Sequence, residues 1–416
     1  MRLPYFISFM MLLLFEGKAQ YNSDFLYYSK YGKSATLQGS YDFNSNSVQN
    51  SIANQVVFGG YIDSSSRAKA LGRMGAVNRA GGVLNYGANA FFSLRKNSKF
   101  SIAVGLNQTN MFNSTFSRDL FAMTFMGNKM YEGKTANIGA GNVNYYSFQE
   151  AKLGLVYDKG DTGIKAGFTV SYYNGQNILQ MNTGRSSVFT ASDASLIDFN
   201  LQGSVLISDT ASGKQSIGVM NGKGAGASFF VEIPYTTSFA DCKLFVSGSN
   251  IGFISWNSNT LQNNFNSNEI YKGVVTNNLF QVSGQSAQQF SRDSFLNKFG
   301  TFQKGPKTLM LPMNLVLINT FQVSDRYSFN LGARYIHMAN YLPYVFTEGT
   351  IHFYNHLKLT FHAGYGGYGK LTGGFNFEYS IYSYYLRIGS NALQGYIAPK
   401  YTLGQGLFFS LTKKFS

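Results

Sequence analysis

The last strand-like segment of the chain, Gly406-Leu-Phe-Phe-Ser-Leu-Thr-Lys-Lys-Phe415, alternates between two environments and puts an aromatic one residue from the end. Leu407, Phe409, Leu411 and Phe415 share one parity, and Ser410, Thr412 and Lys414 share the other. Successive side chains of a strand point to opposite faces, so a strand here has one greasy face and one wet face. The same pattern recurs along most of the sequence, as in the strands of a membrane β-barrel.

Only 13% of the 416 residues are charged, about half the share of a soluble globular domain, while Phe and Tyr number 38 and 29. Much of the surface must therefore face something other than water. Past the N-terminus no apolar run approaches the ~18 residues that a membrane helix needs, which excludes a helical membrane protein. A spanning chain must satisfy every backbone N–H and C=O internally, and for short alternating strands the solution is a closed barrel. The first 15 residues, a positive charge followed by Leu, Phe, Ile and Met, read as a secretory signal with small residues at Gly17-Lys-Ala19. Residues 1–19 are assigned to it, with export to the outer membrane of a Gram-negative cell as the expected location. The lone Cys242 allows neither an intrachain disulfide nor a lipid anchor near the cleavage site.

From Gly82 onward the parity test succeeds segment after segment. Leu84, Tyr86, Ala88, Ala90, Phe92 and Leu94 alternate with Asn85, Gly87, Asn89, Ser93 and Arg95. Further segments follow at 151–157, 164–172, 197–207, 227–235 and 242–256. Eight more are read between Leu309 and Ser416. The count reaches fifteen, but a barrel with both termini on one side needs an even number. The expected fold is thus an all-β transmembrane antiparallel barrel of about 14 strands, with 12 to 16 as bounds, and the segments near Leu120–Phe125 and Asn144–Phe148 are the suspect ones.

Three regions break the alternation. Residues 20–81 are polar, carry a helix-like stripe at Ile52-Ala-Asn-Gln-Val-Val-Phe58, and read as an N-terminal luminal plug or a periplasmic arm ahead of a barrel at 82–416. Residues 111–142 read as a long loop. The insert 257–306 is rich in Asn, Gln and Ser, with a capped helical pattern at Ser291-Arg-Asp-Ser-Phe-Leu-Asn-Lys-Phe299. With eight strands after it, parity places this insert on the periplasmic side, where it would serve as a docking surface for a secretion-complex partner.

Several pieces carry a family resemblance: Gly222-Lys-Gly-Ala-Gly226 leading into Ser228-Phe-Phe-Val-Glu-Ile-Pro-Tyr235, Leu244 to Trp256, Gly59-Gly-Tyr-Ile-Asp63 and Leu311-Pro-Met-Asn-Leu315. In order of motifs, roughly residues 40–416 resemble a Bacteroidota outer-membrane barrel family of unknown function. Asn250 stands where that family often has Asp. The family is in turn similar in fold to fatty-acid-transporter barrels, with 14 strands and an N-terminal hatch, and to the outer-membrane porin of type IX secretion. These are scaffold motifs, and fold likeness does not carry function.

Chemistry is sparse. Gly222-Lys-Gly-Ala-Gly226 lacks the helix that a phosphate-cradling loop requires and reads as a tight rim turn. His337, His352, His356 and His362 sit in three candidate strands with mixed parity, which is poor ligand geometry, so no metal and no cofactor are expected. No serine stands out as the partner of His362, so an enzyme is not expected. The net charge of +15 is dispersed singly, without the clustering of a nucleic-acid binder. On the wet parity, Arg95, Lys165, Arg334, Lys358, Arg387 and Lys400 are the lumen-lining basic candidates, with Lys152, Lys370 and Lys414 beside them, against Asp198, Glu232 and Glu378. The expectation is a hydrated, positive interior and a passive channel or binder for hydrophobic or anionic small molecules such as fatty acids. The alternative is a non-transporting scaffold anchored through 257–306. Outer-membrane lipids and lipopolysaccharide are the expected surroundings.

Overall fold

Fourteen antiparallel strands form the wall of a closed barrel in the computed structural model, which describes residues 24–95, 98–160, 162–193, 195–208, 218–272, 300–354 and 356–415. In chain order they are β1 (Ser34–Ser45), β2 (Asn78–Ser93), β3 (Phe100–Phe116), β4 (Gly141–Asp158), β5 (Lys165–Thr183), β6 (Gly222–Thr236) and β7 (Asp241–Trp256). The second half is β8 (Asn314–Gln322), β9 (Tyr327–Ile336), β10 (Leu342–Phe353), β11 (Leu357–Gly367), β12 (Leu371–Ile381), β13 (Tyr384–Ser390) and β14 (Gly404–Lys414). Each pairs with its sequence neighbour, and β1 pairs with β14 from Ser34–Lys414 to Asn44–Gly404, so the wall has no free edge. The expected signal at 1–19 and the helical pattern at 291–299 lie outside the described residues.

The first wall strand falls inside the expected plug. Ser34, Thr36, Gln38 and Ser40 are buried towards the lumen, whereas Leu37 is exposed on the outside. The alternation is the usual one, but its outward row is weakened by Ala35 and Gly39, so the segment reads as merely polar. The wall therefore starts at Ser34 and not at Gly82.

Every connection at one end is short, whereas the other end mixes the long connections with two short ones, 337–341 and 368–370. The all-short set, 94–99, 159–164, 237–240, 323–326, 354–356 and 382–383, lies at the end that holds Ser34 and Lys414, here the terminal end. Residues 46–77, 117–140, 184–221, 257–313 and 391–403 lie at the opposite, loop end. Seven wall strands, β8 to β14, follow the 257–306 insert, not eight, because Leu309 belongs to a short strand Lys307–Met310 laid against the end of β7. The insert is thereby moved to the loop end. Of the two suspect segments, Leu120–Phe125 lies in a helix, while Asn144–Phe148 is genuine wall within β4.

The loop end carries a small helical cap and a sheet extension. Helices α1 (Asp24–Tyr31), α2 (Asn50–Phe58), α3 (Ser64–Arg73) and α4 (Arg118–Met126) follow in chain order, and the last three build the cap around Ile52, Leu71 and Phe121. The Gly59-Gly-Tyr-Ile-Asp63 motif is its corner. Gly59 takes φ 82° where α2 ends, a conformation that favours glycine. Asp63 caps α3 by accepting the Ser66 backbone N–H at 2.8 Å, which holds its carboxyl below the usual aspartate range. Beyond the wall, Ile197–Ile207 pairs with the end of β5 and with Leu261–Tyr271.

Gly222, Gly224 and Gly226 form no turn. They are consecutive inward positions of β6, and they make room for Tyr173, Ile254 and Trp256 of the neighbouring strands. A Cβ at Gly224 would stand 2.0 Å from the Phe253 carbonyl oxygen. Gly224→Val should therefore lower the stability of the folded barrel by about 3 kcal/mol, the upper part of the overpacking range. Gly349→Ala, an outward position with open space, should be neutral. Urea midpoints in lipid, read as loss of the heat-modifiable gel band, check both.

Candidate functional site in the lumen

Inward parity puts two kinds of side chain inside the barrel. Large apolar residues pack into two clusters, one around Tyr28, Phe91, Phe230, Phe245 and Phe346, the other around Tyr146, Tyr173, Ile254, Trp256 and Ile336. The same inward parity also buries charged groups, several of them in ion pairs. The basic side chains of the interior thus stand beside buried carboxylates and packed rings, whereas parity alone suggested a positive lumen.

Helix α1 runs inside the lumen at the terminal end. Leu26 and Tyr28 pack into the first apolar cluster, with the Tyr28 ring 5.1 Å from Phe91 and 6.1 Å from Phe230. The Tyr28 hydroxyl donates to Asp158 Oδ2 at 3.0 Å. Polar residues fasten the helix to two walls. The Ser29 hydroxyl donates to Glu232 of β6, and Lys30 pairs with Glu378 of β12, which also accepts the Tyr31 hydroxyl at 2.8 Å. Glu232 and Glu378 are almost fully buried, yet neither depends on the helix alone. Lys165 and Lys243 stand 3.8 and 3.9 Å from Glu232, and Lys358 stands 3.7 Å from Glu378.

A second polar set joins four adjacent strands, β9 to β12. The Tyr344 hydroxyl lies 2.7 Å from both His362 Nε2 and Thr372 Oγ1, while His362 Nδ1 lies 3.3 Å from Glu348 Oε1. Asn330 Nδ2 donates to the other Glu348 oxygen at 2.9 Å. The order carboxylate, imidazole, hydroxyl matches that of a hydrolase triad, but the hydroxyl is engaged on both sides and His362 is wholly buried. Beside it lies a small cavity of about 30 Å³ lined by Asp42, Arg334, Tyr341, Tyr344, Tyr368 and Asn391 among others. Arg334 Nε donates to Asn314 Oδ1 at 2.9 Å. That bond accounts for the asparagine of Leu311-Pro-Met-Asn-Leu315, whose Leu311 joins the second apolar cluster.

The six basic candidates separate. Lys165, Arg334, Lys358 and Arg387 face the lumen from β5, β9, β11 and β12's neighbour β13, and Arg387 lies 5.0 Å from the Phe408 ring centroid. Arg95 and Lys400 do not join them. Arg95 is exposed just beyond β2 at the terminal end, and Lys400 is exposed in the 391–403 connection. Asp198, counted among the luminal acids, belongs to the sheet extension instead. The acids missed by sequence reading are Asp42, Glu150 and Glu348. Glu150 accepts from Ser171 at 2.7 Å and faces Lys152 at 3.6 Å. Starting the fourth strand one residue earlier than 151 would have exposed that pair. Among the described residues no group of three or more His, Cys, Asp or Glu is arranged to hold a metal.

Removing the charge that holds α1 tests this arrangement. Glu378→Gln should reduce amide-exchange protection across Tyr28–Tyr31 by about 2 kcal/mol, the scale of hydrogen bonds to a charged partner. Glu348→Gln should leave α1 protection unchanged.

Compared with known proteins, residues 35–390 match the family described as "Family of unknown function (DUF5723)", and the chain belongs to that family. No curated protein matches. Similar solved structures include the P. putida toluene transporter TodX, 10% identical with a TM-score of 0.41 over 92% of this chain and 89% of that one. A Pseudomonas aeruginosa FadL homologue is 11% identical, with a TM-score of 0.42 over 92% and 90%. The translocator domain of the Neisseria meningitidis autotransporter NalP is 9% identical, with a TM-score of 0.32 over 92% and 88%. The barrel stands on its own strand register and not on these likenesses.

Proposed function

We propose that this member of DUF5723 is an outer-membrane barrel channel for small amphipathic acids, closed at its terminal end by α1. The outward rows are apolar and exposed, as in Leu106, Leu153, Phe168, Leu331, Phe361 and Leu371, and no described helix is long and apolar enough to cross a membrane. Wall strands of this kind suit a lipid exterior. With the termini in the periplasm, the long connections and the cap face outwards from the cell.

The observation that carries the reading is how α1 is held. Withdrawing a luminal element ordinarily strands buried charge, which is costly. Here Glu232 keeps Lys165 and Lys243, and Glu378 keeps Lys358, after Ser29, Lys30 and Tyr31 leave. The helix is therefore separable from a wall that remains neutralised. The passage it vacates is lined by Phe91, Phe230 and Phe245 together with those lysines, a combination that suits an apolar tail and an acidic head. Fatty acids fit this chemistry.

A second reading, a non-transporting anchor, is favoured by the sheet extension built on Ile197–Ile207 and Leu261–Tyr271. Its partner would meet the outer face of the membrane, since the insert lies at the loop end. An enzyme has less support, because the one hydroxyl beside His362 is already spoken for.

Planar-bilayer recordings separate these readings. Wild-type barrels should be nearly silent, deletion of residues 24–31 should open a steady conductance, and deletion of 273–299 should change neither. A silent 24–31 deletion that remains folded would contradict the channel.

A further inference from the structure

Away from the lumen, the outward rows are built from small residues across β1, β2, β3 and β4. Along one row the register runs Lys413, Ala35, Ala90, Val104 and Leu153 across β14, β1, β2, β3 and β4. The next row runs Leu37, Ala88, Leu106 and Ala151. Continued past β14, the same rows hold bulky groups, Tyr384 and Ile381 on one and Leu411, Leu386 and Tyr379 on the other. Four alanines thus floor a trough of about 890 Å³, with Leu37, Leu106, Leu153 and Val170 along it. At roughly 30 Å³ for a water-sized group, this takes about thirty methylenes, enough for two acyl chains.

One end of the trough is charged. Lys413 sits on the outward, lipid-side parity of β14, one register step from the final wall pair Ser34–Lys414. Its ammonium lies 5.2 Å from the centroid of the Tyr384 ring, and no carboxylate pairs with it among the described residues. A lysine at that height lays its stem along apolar surface and holds its ammonium at the level of lipid phosphates.

We infer that this trough is a binding site for one anionic phospholipid of the terminal-side leaflet, its acyl chains along Ala35, Ala88, Ala90 and Ala151 and its phosphate on Lys413. The site rests on the membrane reading above but is independent of any passage through the lumen. It gives the wall a fixed lipid where β1 and β14 close the barrel.

Native mass spectrometry of the full chain, folded into vesicles of equal parts phosphatidylglycerol and phosphatidylcholine and then extracted in detergent, tests it. Wild type should retain one phosphatidylglycerol. Ala90→Phe, which fills the trough from its outward side, should lower that retention by at least about tenfold, the loss expected for two unburied methylenes. Lys413→Gln should abolish the preference for phosphatidylglycerol, and Ala363→Phe on the far wall should change nothing. Equal retention by Ala90→Phe, or equal retention of both lipids by wild type, would overturn the site. Heat-modifiable gel mobility distinguishes the failures: a chain that never inserts refutes the membrane reading, whereas a folded barrel without the lipid refutes only the trough.

Discussion

Everything in this molecule depends on the hydrogen bonds between its first and last wall strands. A sheet exposes a row of unpaired N–H and C=O groups at each edge, and at membrane depth water cannot satisfy them. The pairing of β1 with β14 from Ser34 to Asn44 removes both edges at once. Closure also determines which residues face inwards, because strand parity then has only two destinations. The alternation of Ser34, Thr36, Gln38 and Ser40 against Ala35, Leu37 and Gly39 is a consequence of that closure.

An inside that is neither lipid nor bulk water must be filled or neutralised. The barrel does both. Inward Phe, Tyr and Trp side chains interdigitate with inward glycines, as Trp256 and Ile254 do with Gly222 and Gly224. The buried carboxylates Glu150, Glu232, Glu348 and Glu378 each meet a basic group on the same or an adjoining strand, or His362. Such sets stabilise little in themselves, since desolvation offsets most of the attraction. Two of these carboxylates, Glu232 and Glu378, bond α1 while also meeting lysines of the wall.

Much of this was legible in the sequence. Strands from Asn314 onward carry strong apolar rows, such as Tyr327, Phe329 and Leu331, and the period of 2 places them. The first strand escaped notice because Ala35 and Gly39 thin its outward row, and Ala35 lies in the floor of the trough. The side of the 257–306 insert was misplaced by a single miscounted strand, since parity propagates one error to everything before it. Gly222-Lys-Gly-Ala-Gly226 looks like a turn because glycine is read as backbone freedom, whereas here it supplies absent volume. Asn250, by contrast, does use backbone freedom. It takes φ 57° in the bulge between Gly248 and Ile251, where the short amides and acids tolerate the left-handed region, so Asn serves that backbone geometry where the resembling family often has Asp. Charge pairing across strands was not legible, because it requires the register.

The most direct measurement is a nitroxide scan of β1 from Ser34 to Asn44 in liposomes, in a background where Cys242 is replaced. Closure with β14 predicts that oxygen accessibility alternates at the terminal half of the strand, high at Ala35, Leu37 and Gly39 and low at Ser34, Thr36, Gln38 and Ser40. Uniform accessibility to a water-soluble relaxant along this segment would show that it lies outside the wall, and the closed barrel would be wrong.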